Sequence, residues 1–204
     1  MELVHISTTN TKLGTTIPTV NLPPIITCRP DAPCKKACYA CKGRFRFPNV
    51  VQSLQNNLNT FLTDPEVFFG VISLHLQAVP YKYFRWFSSG DIVNDLFFEG
   101  MVRIAELHKG TRFLCFTKRF EIVNKYLDKN EKLPENLTVV FSNWADFRCE
   151  NPYNLPTSWV ELKKVECEIP TDAKTCNGFC GECVNTKDSC WDLKTGESVR
   201  FKQH

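Results

Sequence analysis

Two sets of closely spaced cysteines, one near each end of this 204-residue chain, constrain its fold more than any other feature. The first set comprises Cys28, Cys34, Cys38 and Cys41, and the second comprises Cys176, Cys180, Cys183 and Cys190. Three cysteines of each set have the spacing C-x3-C-x2-C. A compact loop with this spacing can turn three thiolates toward one inorganic centre, while its backbone amides point at the sulfur atoms.

The thiols are predicted to bind metal and not to form disulfides. The N-terminus lacks a basic segment followed by an apolar run, so we expect no signal peptide. No apolar run approaches the roughly 20 residues that span a bilayer, so we expect no membrane association. The predicted location is therefore the reducing cytoplasm, where disulfides are rare. The chain also has eleven cysteines, and an odd number cannot pair completely.

The spacing of the first set favours a 4Fe-4S cluster, since thiolates select iron–sulfur clusters, zinc or copper(I). Either Cys28 or Cys41 could complete this set. Basic residues lie beside these thiols and are expected to favour thiolates: Lys35, Lys36, Lys42 and Arg44. The second set fits zinc as well as iron, and Cys167 could replace Cys176 in it. Cys115 is predicted to be a buried small hydrophobe, while the role of Cys149 stays open.

Helix and strand patterns alternate between the two sets. Helical spacing covers 49–63, 64–78, 94–108 and 120–127, and strand patterns cover 24–27, 81–87, 112–116, 137–141 and 198–201. This alternation predicts an α/β fold with a mostly parallel sheet. A complete eight-unit barrel typically needs about 250 residues. We therefore predict a partial or open (β/α) barrel over residues 1–165, followed by a small cysteine-rich metal-binding tail over 166–204.

Polar residues follow the predicted strands, at the sheet edge where active sites of parallel α/β proteins lie. We expect this edge to bind a cofactor through Ser89, Gly90, Asp91, Ser142 and Asn143. Asp91 is also an ordinary helix-capping residue. Lys118 lies near the start of a predicted helix, where a cation opposes the helix dipole, and this favours a ligand role. Lys118 and Asp91 are the predicted catalytic residues.

Several short motifs together resemble the phage gene product eighty-eight family. They are Thr27-Cys28, Cys38-Tyr39-Ala40, Ser89-Gly90-Asp91, Phe116-Thr117-Lys118, Ser142, and the end of the chain from Val199 to His204. The resemblance covers nearly the whole sequence. It implies a phage or mobile-element origin, and it implies little about activity because the biochemical role of that family is poorly defined.

The first cysteine loop also resembles the loop of radical S-adenosylmethionine enzymes. This resemblance implies that Cys34, Cys38 and Cys41 hold a 4Fe-4S cluster whose open iron binds S-adenosylmethionine. It also implies that the Ser-Gly-Asp segment contacts the methionine amine, and that the second set holds an auxiliary cluster. Ala40 departs from the pattern, because the superfamily usually has an aromatic residue just before the third cysteine.

Three hypotheses for function follow. The first is a radical S-adenosylmethionine-type enzyme that acts on an unidentified small molecule. The second is a non-catalytic or electron-transfer iron–sulfur protein in which Cys28 and Cys190 complete four-thiolate sites, served by an electron donor. The third is a zinc-stabilised nucleic-acid-binding module, suggested by basic and aromatic residues that alternate over 42–47. The formal net charge of +3 is too small to favour nucleic acid by itself.

Overall fold

The computed structural model describes residues 3–144, 147–162, 168–186 and 188–202. The strands are β1 (Ile6–Ser7), β2 (Thr19–Val20), β3 (Tyr83–Trp86), β4 (Arg112–Thr117), β5 (Leu137–Ser142), β6 (Thr157–Glu161), β7 (Lys174–Thr175) and β8 (Ser198–Lys202). The helices are α1 (Pro48–Thr63), α2 (Pro65–Ala78), α3 (Asp95–Leu107), α4 (Phe120–Asn130) and the short α5 (Cys180–Cys183). The first cysteine loop consists of 3₁₀ turns at Pro33–Ala37, Tyr39–Cys41 and Gly43–Arg46.

Eight strands form one sheet in the order β1-β2-β3-β4-β5-β6-β8-β7. Every neighbouring pair is parallel except β1 and β2, which run antiparallel. The predicted α/β class and mostly parallel sheet are confirmed. Over the described residues the sheet stays open, with β1 and β7 at its edges, and does not close into a barrel.

Two of the helices, α2 and α3, begin at residues whose side chains cap them. The Asp64 side chain accepts a hydrogen bond from the Val67 N–H at 3.0 Å, and Pro65 occupies the first turn of α2. The Asn94 side chain caps α3 in the same way, accepting from the Phe97 N–H at 2.9 Å. Each of these side chains bonds to a residue three positions along the chain, so both caps depend on local sequence alone.

The sheet has a separate core on each face. On one face, Phe84 and Trp86 of β3 pack with residues of α1 to α4 such as Phe68 and Phe97, all fully buried. On the other face, Leu114 of β4 lies in a second cluster built largely from the two ends of the chain. That cluster also contains Leu13, Ile17, Val140, Val184, Trp191, Leu193 and Val199. The cysteine-rich tail therefore covers the sheet face that the helices leave open.

The tail also joins the sheet itself. Strand β8 pairs with β6 on one side and β7 on the other, and the Trp191 indole N–H donates to the Phe84 carbonyl at 3.2 Å. The proposed division of the chain near residue 165 stays a prediction, because residues 163–167 lie outside the described part. Cys167, which lies there as well, is likewise not described.

Several strands differ from the sequence-based expectation. The strand predicted over 24–27 is wrong, because these residues form turns and the preceding strand, β2, ends at Val20. The adjacent prolines explain this result, since Pro23 and Pro24 carry no N–H for a strand ladder. The sequence patterns did not locate β6, which has five residues, or the two-residue strands β1, β2 and β7. None of the helices among the described residues is long and apolar enough to cross a membrane.

Candidate functional site

The first cysteine set lies in the loop that follows β2. Cys28, Cys34 and Cys38 are partly buried and Cys41 is exposed, all as free thiols. The pKa of the Cys28 thiol is raised to about 11, chiefly by burial and also by the charges of Asp91, Cys34 and Cys38. Cys28 is therefore within electrostatic reach of two other members of its set.

The basic residues beside this set do not determine the ionisation of its thiols as we expected. Burial raises the pKa of Cys38, and the neighbouring Cys41 thiol raises it as well. Desolvation disfavours the charged thiolate, and the exposed lysines nearby are screened by water. The expected lowering of the thiol pKa is therefore wrong for Cys38 and for Cys28.

Tyr39 attaches the first cysteine loop to the sheet. Its hydroxyl donates a hydrogen bond to the Ser88 carbonyl just beyond β3, and its ring packs edge-on against Phe45 with 6.0 Å between centroids. Burial raises the pKa of the Tyr39 phenol, while the charge of Arg85 lowers it. The loop is thus held close to the carboxyl end of β3.

The second cysteine set lies against the sheet face opposite the helices. Cys180 is buried at the start of α5, and its N–H donates to the Lys12 carbonyl at 2.8 Å. The Gly178 N–H points at the Cys176 sulfur at 3.4 Å, which is the amide-to-sulfur geometry expected from the spacing. Burial raises the pKa of Cys190 to about 12, and the charges of Cys176, Cys180 and Cys183 contribute to this rise.

Arg85 lies beside the second set, and the sequence analysis missed it. Its Nη1 is 3.8 Å from the Cys180 sulfur, and its guanidinium lies 5.0 Å from the centre of the Phe116 ring. The Nε atom is buried and has no hydrogen-bond partner among the described residues. The same positive charge lowers the pKa values of Cys190 and Tyr39. The sequence feature that could have identified Arg85 is its position as a charged residue inside the aromatic strand Tyr83–Trp86.

Thiols of the same set lie near one another, but they are not arranged to bind a common metal ion. Within the described residues, no three Cys, His, Asp or Glu side chains lie close enough together to hold one metal ion. Cys115 points into the helix-side core and is fully buried, as predicted. Cys149 lies at the margin of that core, and its N–H donates to Asn143 Oδ1 at 2.7 Å.

Asp91 is a buried carboxylate that joins β3 to β4. Its Oδ1 accepts hydrogen bonds from the Thr117 hydroxyl at 2.6 Å and the Ile92 N–H at 2.8 Å, and its Oδ2 accepts from the Lys118 N–H at 2.9 Å. Burial raises the pKa of this carboxyl, although these hydrogen bonds lower it. A carboxylate offers about four acceptor positions, so little capacity remains for a ligand in this conformation.

Ser89 and Gly90 hold the loop after β2 against the end of β3. The Ser89 hydroxyl donates to the Leu22 carbonyl at 3.0 Å, and the Asp91 N–H donates to the Thr27 hydroxyl oxygen at 3.1 Å. Gly90 has φ +82°, and a Cβ there would lie 2.8 Å from the Leu22 carbonyl oxygen. We call Ser89, Gly90 and Asp91 together with Leu22 and Thr27 the strand-end clasp.

The other predicted strand-end residues also bond within the protein. The Ser158 hydroxyl donates to the Ser142 hydroxyl oxygen at 3.2 Å, while the buried Asn143 bonds to Cys149 as above. The Lys118 Nζ lies 6.0 Å from the centre of the Trp144 ring. Lys118 precedes α4 instead of beginning it, because the helix starts at Phe120. Within the clasp, Asp91 bonds to Thr117 and Lys118, and the ligand and catalytic roles of Asp91 and Lys118 stay predictions.

Comparison with known proteins identifies a family. The family model described as Gene product 88 matches residues 4–147, which include the first cysteine set, the clasp and Arg85. No curated protein matches the sequence, and no solved structure matches the fold. The matched region covers well over half of the chain, and it agrees with the resemblance carried by the Cys-Tyr-Ala and Ser-Gly-Asp motifs. The chain therefore belongs to the Gene product 88 family.

Proposed function

We propose that this chain is an iron–sulfur protein with one 4Fe-4S site at each cysteine set. The first site would use Cys28, Cys34, Cys38 and Cys41, and the second would use Cys176, Cys180, Cys183 and Cys190. The observation that carries the proposal is the position of Arg85 beside the second set, with a buried Nε that has no hydrogen-bond partner among the described residues.

A buried guanidinium N–H group without an acceptor is unfavourable, and an anion beside it would satisfy it. Arg85 forms no ion pair with a carboxylate in the described part of the chain. Its nearest recorded side-chain contact is instead the Cys180 sulfur. A centre bound by thiolates is negatively charged, and it would supply the anion that this position lacks. Arg85 would then stabilise the more negative, reduced form of that centre.

The donor chemistry fits a cluster, although the thiols would have to move to bind it. The eight sulfurs are soft ligands and belong to free thiols. They lie on 3₁₀ turns, on the four-residue helix α5 and on loops, where side chains can turn toward a common centre at small cost. Metal binding requires deprotonated thiols, so the raised pKa values of Cys28 and Cys190 predict that loading releases protons and improves at higher pH.

Full ligation of the first site by four thiolates agrees best with the position of Cys28. This thiol is within electrostatic reach of Cys34 and Cys38, and Cys41 influences Cys38 in the same way. A cluster with four protein ligands transfers electrons and leaves no iron open for substrate. We therefore propose electron transfer, with a separate electron donor, as the activity of the two sites.

The test is the iron, zinc and sulfide content of the full chain purified without oxygen. Two clusters predict about eight iron and eight sulfide per chain. Replacing Cys34 and Cys38 with serine should remove about half of the iron, and replacing Cys180 and Cys183 should remove the other half. Zinc in place of iron at the second site would support the structural-zinc alternative there. A folded protein without iron, sulfide or zinc would overturn the proposal.

S-adenosylmethionine binding is a second candidate, supported by the polar residues at the strand ends. In this version Cys34, Cys38 and Cys41 hold the first cluster, and Cys28 lies beside it without binding. Ser89, Gly90, Asp91, Ser142 and Asn143 would line the cofactor pocket, and Lys118 and Asp91 would contact the reacting groups. Bound S-adenosylmethionine would supply reductive cleavage chemistry, while the chain would orient the cofactor and exclude water from it.

Cys28→Ser separates the two versions. Retention of iron in this variant, together with a spectrum that changes on adding S-adenosylmethionine and with formation of 5′-deoxyadenosine under reducing conditions, would support the enzyme. Loss of iron from the first site, together with a wild-type spectrum that S-adenosylmethionine leaves unchanged, would support electron transfer. Cys149→Ser is the matched control, because Cys149 is a partly buried thiol outside both sets.

A further inference from the structure

The positive charge of this chain is concentrated in one segment. Residues 32–63 contain five basic residues and no Asp or Glu, namely Lys35, Lys36, Lys42, Arg44 and Arg46. The whole chain carries a formal charge of +3 and this segment carries +5, so the remainder carries −2. The small net charge of the whole chain therefore does not reveal this locally basic segment.

The structure exposes most of these charges. Lys36, Lys42, Arg44 and Arg46 are all exposed, and none of them forms an ion pair with the residues that the structure describes. They lie on the consecutive 3₁₀ turns that lead into α1. Unpaired cations on adjacent turns produce a positive potential that attracts a polyanion.

An exposed aromatic side chain lies within this basic region. Phe47 is 54% exposed at the start of α1, between Arg46 and the helix. Phe45 is partly exposed and packs against Tyr39, so its position is held by the loop. The first turns of α1 add the exposed polar side chains of Asn49 and Gln52. An aromatic face beside cations and amides matches the requirements of a phosphate backbone with unstacked bases.

We propose that the surface formed by Lys36, Lys42, Arg44, Arg46 and Phe47, here called the basic loop surface, binds single-stranded nucleic acid. The four cations would contact phosphates, and a base would stack on the Phe47 ring. Duplex would bind more weakly, because its bases are already stacked and cannot reach the ring. This inference is independent of the proposed clusters, since none of the five side chains is a candidate ligand.

The experiment measures binding of a fluorescein-labelled oligothymidylate to the full chain purified without oxygen, by fluorescence anisotropy at several salt concentrations. Phe47→Ala should weaken binding about fivefold to a hundredfold, as expected for loss of one stacked base. The double variant Arg44→Ala/Arg46→Ala should reduce the slope of log affinity against log salt by roughly 1.4, since each phosphate contact on a single strand contributes about 0.7.

The matched control removes two exposed lysines elsewhere. Lys109→Ala/Lys129→Ala makes the same change in net charge on the α3 and α4 side of the molecule, and it should leave affinity and salt slope close to wild type. Equal losses in both double variants would show a response to net charge alone and would overturn the proposal. Equal affinity for duplex and single strand would also overturn it.

A membrane surface is the competing partner, because cations beside exposed Phe47 and Val51 could also meet anionic lipid. The same variants are therefore tested against vesicles of phosphatidylserine and phosphatidylcholine. Oligonucleotide binding that depends on Phe47, with no sedimentation by vesicles, supports the proposal. Vesicle binding that depends on Phe47, with no oligonucleotide binding, overturns it.

Discussion

Gly90→Ala is expected to destabilise the protein strongly, even when no ligand is bound. Gly90 has φ +82°, a left-handed conformation that costs an alanine about 1–2 kcal/mol. The added Cβ would also lie 2.7 Å from the Leu22 Cβ and 2.8 Å from the Leu22 carbonyl oxygen. Overpacking of this kind costs about 1–3 kcal/mol, so the free energy of unfolding should fall by about 2–5 kcal/mol.

Urea unfolding of wild type and variant, followed by tryptophan fluorescence, measures this difference. A slope of about 2 kcal/mol per molar urea is typical for a protein of this class. The unfolding midpoint should therefore fall by about 1–2.5 M. Such a loss would show that the Ser-Gly-Asp segment stabilises the fold, independently of any cofactor.

Gly70→Ala is the matched control. Gly70 lies inside α2, where an added Cβ meets no atom within 4 Å. Alanine should therefore raise stability by about 0.5–1 kcal/mol, since it favours a helix more than glycine does. The reasoning fails if Gly90→Ala unfolds at the wild-type urea concentration. In that case the close approach of the clasp to Leu22 would not constrain the folded state.

Three further predictions concern single side chains. Because burial raises the pKa of Asp91 in the folded protein, protonated Asp91 contributes stability that is complete below the ordinary pKa of 3.8. This contribution is lost as pH rises through the pKa of Asp91 in the folded protein. Asp91→Asn should therefore remove this pH dependence of stability, as measured by thermal unfolding at several pH values. Although partial burial raises it, hydrogen bonds from Arg112 and Ser189 hold the pKa of Asp192 below its usual range. Asp192→Asn should therefore cost under about 1 kcal/mol at neutral pH and nothing in acid, by the same assay. Cys115→Ser should lower stability by about 1–3 kcal/mol while leaving iron content unchanged, because its sulfur lies in the apolar core.

The sequence was sufficient to predict structural features that depend on residues close together along the chain. Apolar periodicity located α1 to α4, and the central strands followed from their apolar content. The family could be identified from the cysteine spacing and from the Cys-Tyr-Ala and Ser-Gly-Asp motifs. The match to the family model confirmed this identification. The strand predicted over 24–27 was wrong, because a run of apolar residues does not show whether a neighbouring strand is available to pair with it.

Only the tertiary structure decided what each polar residue contacts. Asp91 joins Thr117, Lys118 and Ile92, and Arg85 meets Cys180 from 95 positions away. The tail covers the sheet face opposite the helices, and sequence reasoning had not foreseen this. Sequence patterns report contacts a few residues apart, whereas these contacts depend on strand order and on which face each residue occupies. A one-residue change in strand register would turn Arg85 to the other face of the sheet, away from Cys180.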